Sequence, residues 1–178
     1  MTTNAITISL AEIREQSPCA VGWRKVLAAK GGKDADMEAR FPLTDIIETN
    51  NFDDALWAMR CLPEHNNLWR KYAVWCARQF EHLMTDDRSV AALGVAWRHS
   101  DGLATDEELA ATWYTASDAA RDAARAAARA AARDAASDAA SAVAWDAARD
   151  AASDAAWDAA RAAQKQKLIE ILNAGEWV

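Results

Sequence analysis

Residues that punctuate a chain are scarce here: 178 residues hold six glycines and three prolines, and neither type occurs between Leu103 and Ala174. So few glycines leave no phosphate cradle, and neither Gly-x-Gly-x-x-Gly nor Gly-x4-Gly-Lys-Ser/Thr occurs, which argues against nucleotide hydrolysis. The three cysteines, at 19, 61 and 76, are odd in number, lack Cys-x-x-Cys spacing and sit among Trp, Leu and Val. They read as reduced, buried thiols of a cytosolic protein and exclude a disulfide framework. There is no apolar run of about 18 residues, which excludes a membrane span. No charged-then-apolar leader is present either, since Thr2 to Leu10 is mixed and Glu12 follows, so the chain reads as unexported. Basic residues are outnumbered, 20 Lys and Arg against 27 Asp and Glu, for a net charge of −7. That balance argues against general nucleic-acid binding, which needs clustered cations, and leaves a basic partner or imitation of a polyanion.

Tryptophan, by contrast, is abundant, with nine residues at 23, 57, 69, 75, 97, 113, 145, 157 and 177. Most are expected in the core. Because indole is large and amphipathic and is enriched at binding hot spots, the remainder are candidates to anchor an interface.

Strand signals are nearly absent, with alternation only over Ala5 to Leu10. Helix signals are many. Ser9-Leu-Ala-Glu12 is a capping box opening a short helix to about Glu15, and Ser17 followed by Pro18 predicts a second that Gly31-Gly32 ends. Pro42 to Asn50 reads as a third, with Leu43, Ile46 and Ile47 at helical spacing. Asn51 caps a fourth, whose first turn holds Asp53 and Asp54 against the helix dipole. Pro63 opens a longer helix to about Met84, the Thr85-Asp86-Asp87 break leads into Val90 to Trp97, and Gly102 stops that segment. Thr105-Asp-Glu-Glu108 is a second capping box. The chain is thus expected to be all-α, a multi-helix bundle forming one domain over 1–178, with a Trp-rich short-helix part (1–104) and an alanine-rich part (105–178).

From Asp118 to Ala163 alanine pairs recur every four residues, slipping only at Val143-Ala144. Alanine is the best helix former, so the tract is expected to be helical. A four-residue repeat on a 3.6-residue helix turns its stripe by about 40° per unit, so the alanine face winds around the rod. One unbroken helix from 105 to 172 would run about 100 Å, against a radius of gyration of about 16 Å for a compact domain of this length. The expected solution is a break into antiparallel segments near Asp134 to Val143, where Ser137, Asp138 and Ser141 are available caps; a projecting arm and oligomerisation are the alternatives. Alanine faces let helix axes approach closely, and Trp113, Trp145 and Trp157 would then supply much of this half's apolar burial.

Charged stripes occupy the other positions of the repeat. Asp118–Arg121, Asp122–Arg125, Asp146–Arg149 and Asp158–Arg161 are i,i+3 pairs, each worth about 0.2–0.5 kcal/mol, and the plain reading is a solvated, helix-supporting face. Arg125, Arg129 and Arg133 have no acid between them and form a candidate anion-binding strip. His65, His82 and His99 recur every 17 residues and lack the close pairs of zinc sites, so no metal and no cofactor are expected. A Cys–His nucleophilic pair lacks any local signature. Asp53-Asp54 is a first-turn pair whose ordinary role is to satisfy the dipole, not to act as acid and base. The balance points to binding without catalysis.

Four runs resemble a known family. Ser17-Pro-Cys-Ala-Val-Gly-Trp-Arg-Lys-Val-Leu27, Asp53-Asp-Ala-Leu-Trp-Ala-Met-Arg-Cys-Leu62, Tyr72-Ala-Val-Trp-Cys-Ala-Arg78 with His82-Leu-Met84, and the alanine-rich tail are similar to phage and bacterial proteins labelled immunity proteins by analogy with those of polymorphic toxins. The resemblance spans about residues 10–172 and implies an all-helical, non-catalytic protein of the bacterial cytoplasm that binds and neutralises a macromolecule. It implies as partner a toxin or an immune effector such as a CRISPR complex, with anti-CRISPR proteins as the phage counterpart. Trp145, Asp146, Asp150 and Trp157 are the candidate contact residues. Two alternatives stand beside this: a sponge that sequesters a nucleotide immune signal on Arg125, Arg129 or Arg133, and a structural module whose tail self-associates into a homo-oligomer.

Overall fold

The computed structural model describes residues 4–84, 86–115, 117, 118, 121, 125 and 142–178, with Leu83 and residues 142–155 described by backbone alone. The described chain is all-α apart from one two-stranded ribbon. Its contacts gather into two compact units, residues 1–69 with 165–178, and residues 70–164.

The first unit begins with strand β1 (Thr7–Ile8), followed by helix α1 (Leu10–Glu15). The Ser9 capping box is complete: the Glu12 backbone N–H donates to Ser9 Oγ at 3.2 Å, and the Ser9 N–H donates to Glu12 Oε2 at 2.7 Å. Two orphan donors at the helix start are thereby satisfied. Helix α2 (Ala20–Ala29) is capped by Cys19 and not by the expected Ser17; the Gly22 N–H donates to Cys19 Sγ at 3.3 Å. Ser17 lies in the left-handed region at φ 53° and closes α1, its N–H donating to Arg14 O at 3.1 Å. A residue spent on ending one helix cannot also take the extended backbone that an N-cap needs.

The expected helix from Pro42 is also corrected. Phe41–Pro42 forms strand β2, antiparallel to β1 with Ile8 opposite Phe41 and Thr7 opposite Pro42, and the Leu43 N–H donates to Ile6 O at 2.9 Å. Because this pairing takes up the backbone through Leu43, helix α3 starts only at Thr44 and runs to Thr49. Proline is tolerated in such a ribbon because it has no N–H to leave unpaired. Helix α4 (Phe52–Ala58) is capped as expected, with the Asp54 N–H donating to Asn51 Oδ1 at 2.8 Å. Helix α3 packs on α2 and α4.

The core of this unit is aliphatic. Ile8, Leu10, Leu43, Leu62, Leu168, Ile171 and Leu172 are all less than 2% exposed. Burying each such side chain contributes about 1.5–3 kcal/mol. The last three belong to the end of the tail helix, α8 (Ala142–Ala174), and they are locked to the start of the chain by the Ile6 N–H, which donates to Leu172 O at 2.8 Å. Past the helix end, Gly175 has φ 74°, its N–H donates to Ile171 O at 2.8 Å, and a Cβ there would lie 2.0 Å from Asn4 O. Only glycine fits that position.

Pro63 opens not one long helix but a 3-10 turn (Pro63–His65), then α5 (Asn66–Arg78), then a second 3-10 turn (Glu81–Leu83). Gln79 and Phe80 N–H groups donate three residues back, to Cys76 O at 3.3 Å and Ala77 O at 3.1 Å, which tightens the last turn of α5 and ends it. In the second unit Asp86 caps α6 (Asp87–Ser100), accepting the Arg88 N–H at 2.9 Å. The Thr105–Glu108 box is complete at 3.2 and 2.7 Å and opens helix α7, residues 106–115. Backbone 142–174 is then helical without interruption. The break expected near 134–143 lies, up to residue 141, outside the described residues.

Tryptophan does not fill the core as expected. Among the described residues only Trp69 is buried, its indole N–H donating to Leu62 O at 3.1 Å, whereas Trp23, Trp57, Trp75, Trp97 and Trp177 are half-buried. Trp113 and Trp157 are 64% and 62% exposed, contrary to the expectation that they supply burial in the tail. Described neighbours one turn away, Leu109, Ala110 and Ser117 around Trp113 and Ala160 and Arg161 around Trp157, are mostly too short or too polar to cover an indole.

Candidate functional site: an exposed aromatic pair on an acidic helix

Helix α7 carries the most exposed aromatic surface of the described chain. Trp113 and Tyr114 are 64% and 66% exposed, and their rings meet edge to face at 5.2 Å and 78°. The helix starts with three exposed acids, Asp106, Glu107 and Glu108, and Asp118 follows one turn beyond Tyr114. First-turn acids are favoured by the helix dipole, so negative charge and apolar surface coexist here at little conformational cost. Asp118 meets Arg121 at 3.2 Å, with both side chains about two-thirds exposed, and such a pair contributes little to stability. An edge-to-face pair joins two rings into one apolar surface.

The tail positions singled out from sequence fall differently. Trp157 is exposed, with its ring 5.3 Å from that of Phe80 at 35°. Trp145, Asp146 and Asp150 lie on the helical backbone of α8, and their side chains are outside the described residues. Arg125 is helical and exposed, while Arg129 and Arg133 lie outside the described residues. The aromatic pair at 113 and 114 was only half legible: Trp113 stood out as tail packing, and Tyr114 not at all. The signal available was two adjacent aromatics in a stretch of Ala, Thr and Glu.

Around these, the second unit uses its polar residues structurally. Lys71 bridges Asp101 at 2.6 Å, and the Trp97 ring takes Lys71 Nζ at 4.8 Å and Arg78 Cζ at 5.1 Å from its centroid. His99 accepts from Arg70 Nη1 at Nδ1 (2.8 Å) and donates from Nε2 to Asp106 (2.7 Å), the arrangement of the neutral tautomer. His65 packs on Trp69 at 5.5 Å. Among the described residues no three metal-ligating side chains converge. Tyr72 donates to Gln164 O at 2.9 Å, and burial, then the Cys76 thiol beside it, pushes its phenol well above the usual range.

The thiols are not uniformly buried as expected. Cys61 is buried, and burial pushes its thiol up to about 11; Cys76 is half-buried and also raised by burial, a shift that the Tyr72 hydroxyl partly offsets. Cys19 is exposed, because its sulfur caps a helix end at the surface.

The first unit holds a cleft of about 270 Å³. Ile13, Trp23, Val26, Ile46, Trp57 and Ala58 form its apolar walls, and Cys19, Asn50, Asp53 and Asp54 bring polar atoms to it. Asn50 Nδ2 donates both to Gly22 O (2.9 Å) and to Asp54 Oδ2 (2.8 Å), tying α3 to α2 and α4. Gly22 permits this approach, since a Cβ there would stand 3.2 Å from Asp54 Oδ2 and 3.3 Å from Cys19 Sγ.

Comparison of the chain with protein-family models, with curated proteins and with solved structures finds no match in any of the three. Among the described residues no helix is long and apolar enough to cross a membrane.

Proposed function

We propose that the protein is a non-catalytic inhibitor that binds and neutralises a macromolecular partner through acidic, tryptophan-bearing helix surface. The observation that carries this is the Trp113–Tyr114 pair, two large rings about two-thirds exposed on a helix opened by three acids. Exposed Trp and Tyr are the side chains most often found at binding hot spots, and the surrounding acids, with the net charge of −7, favour a basic partner face. The resemblance of the 17–27, 53–62 and 72–84 runs to immunity proteins supports a bacterial toxin or an immune effector such as a CRISPR complex as that partner. Trp157 is a second exposed anchor, and Trp145, Asp146 and Asp150, on the backbone of the same helix, are the further contact residues of this proposal.

Two assays test this. Produced in bacteria with an active CRISPR system, or alongside a toxin, the wild-type chain restores phage plaquing or cell growth. Trp113→Ala with Tyr114→Ala removes that protection by at least about tenfold, the usual cost of one hot-spot residue or more, while the circular dichroism spectrum is unchanged. Asp146→Lys with Asp150→Lys lowers it further. A wild-type chain that protects in neither setting and retains no protein at 1:1 stoichiometry refutes the reading.

A further inference from the structure

The cleft between α2, α3 and α4 combines two features: indole walls and a carboxylate that has no counter-ion among the described residues. Trp23 and Trp57 face it from different helices, and Asp54 is half-buried at its edge. Asp54 sits in the first turn of α4, where an acid ordinarily serves the dipole. Here the cap is Asn51, whose side chain takes the Asp54 N–H, and the Asp54 carboxylate is turned instead toward Gly22 of α2. Its Oδ2 accepts from the neutral Asn50 amide, and among the described residues no Lys, Arg or His forms an ion pair with it. A neutral donor orients a carboxylate and leaves its charge uncompensated.

We infer that this cleft binds a small organic cation, a primary ammonium carried on an apolar body, with the head at Asp54 and the body against Trp23 and Trp57. Charge complementarity selects a cation over an anion. The walls select one with apolar bulk, since a bare metal ion would be surrounded by Ile13, Val26, Ile46 and Ala58. Indole is also the best aromatic partner for a cation. A volume of about 270 Å³ is near the lower end of small-molecule pockets and suits a ligand of this kind. The inference rests on the first unit alone and does not depend on the partner proposed for α7.

The test uses the full chain labelled with 15N, reading the indole N–H resonances during titration with phenethylammonium, with phenethyl alcohol as its neutral counterpart and 3-phenylpropanoate as the anion. Phenethylammonium is expected to shift Trp23 and Trp57 selectively and to bind about tenfold more tightly than the alcohol, the anion being weaker still. Asp54→Asn keeps the shape and the acceptor for Asn50, and it reduces the preference for the cation to within about twofold while alcohol binding persists, which shows the cleft intact. Gly22→Ala, whose methyl crowds Asp54 and Cys19, weakens cation and alcohol alike. Equal affinity for cation and alcohol in the wild type overturns the inference, as does an Asp54→Asn variant that keeps the preference. Shifts at Trp113 as large as those at Trp23 and Trp57, or no shift at any indole, overturn it too.

Discussion

Gly175→Ala places one methyl group where the structure leaves no room, and its cost can be worked from two separate effects. The residue has φ 74°, and an L-residue held in the left-handed region costs about 1–2 kcal/mol relative to glycine. The new Cβ would also lie 2.0 Å from the Asn4 carbonyl oxygen, so the chain at Asn4 must move by more than an ångström. That movement breaks or stretches the hydrogen bond from the Ile6 N–H to Leu172 O, worth about 0.5–1.5 kcal/mol net, and loosens the packing of Leu168, Ile171 and Leu172. The expected loss is about 2–4 kcal/mol. Gly102→Ala is the control, for Gly102 has φ 72° and nothing within 4 Å of a Cβ, and it should show the backbone cost alone. Amide exchange at Ile6 reports the event locally: protection should fall between about 30-fold and 1,000-fold in Gly175→Ala and stay unchanged in Gly102→Ala. Equal effects of the two substitutions on urea midpoints, with Ile6 protection retained, would refute the steric reasoning.

Three further outcomes are expected. A disulfide reagent should titrate Cys19 fast, the half-buried Cys76 more slowly and the buried Cys61 only on unfolding, because burial holds Cys61 and Cys76 as thiols; three equally fast thiols would contradict this. Glu12 is held below the usual carboxylate range because, although burial raises it, hydrogen bonds from Arg40 and from the Ser9 backbone outweigh that effect. Its contribution is present above the unfolded-state value of about 4.3 and lost as pH falls through the lower folded value, so urea midpoints should drop less between pH 6 and 3 in Glu12→Gln than in the wild type. Trp69→Phe should cost about 0.5–1.5 kcal/mol in urea denaturation, the net worth of the indole hydrogen bond, since the Leu62 carbonyl keeps the His65 N–H at 3.1 Å; no measurable loss would mean that the bond does not matter.

Local chemistry was the part of this fold that the sequence made legible. The Ser9–Glu12 and Thr105–Glu108 boxes and the Asn51 cap form as expected, because each needs only residues within one turn of each other. What sequence reading missed depends on distant partners. Phe41–Pro42 has no alternating pattern, and it becomes a strand because Thr7–Ile8 pairs with it. Ser17 looks like a cap until the end of α1 takes it for its own closure. Gly175 reads as a plain helix terminator, yet its essential neighbour is Asn4, at the other end of the described chain. The cleft is invisible in the sequence for the same reason, since Trp23 and Trp57 belong to separate helices and only the packing of α2 and α4 on α3 brings them to one space. Periodicity marks the alanine tract as helix, which the described backbone over 142–163 bears out, but it does not show that Trp157 is exposed, because a winding stripe does not say which side meets water.

The pairing of Ile6 with Leu172 also has a bearing on how the protein is made. Residues 1–69 leave the ribosome well before residues 165–178 that complete their core, with Arg70 to Gln164 synthesised in between. At about 5–20 residues per second that interval is roughly 5–20 s, far longer than a small helical unit needs to collapse. Throughout it, Ile8, Leu10, Leu43 and Leu62 lack the Leu168, Ile171 and Leu172 side chains that share their interior. The first unit is thus an early-made, late-finished structure, in which four aliphatic side chains precede by seconds the three that complete their core.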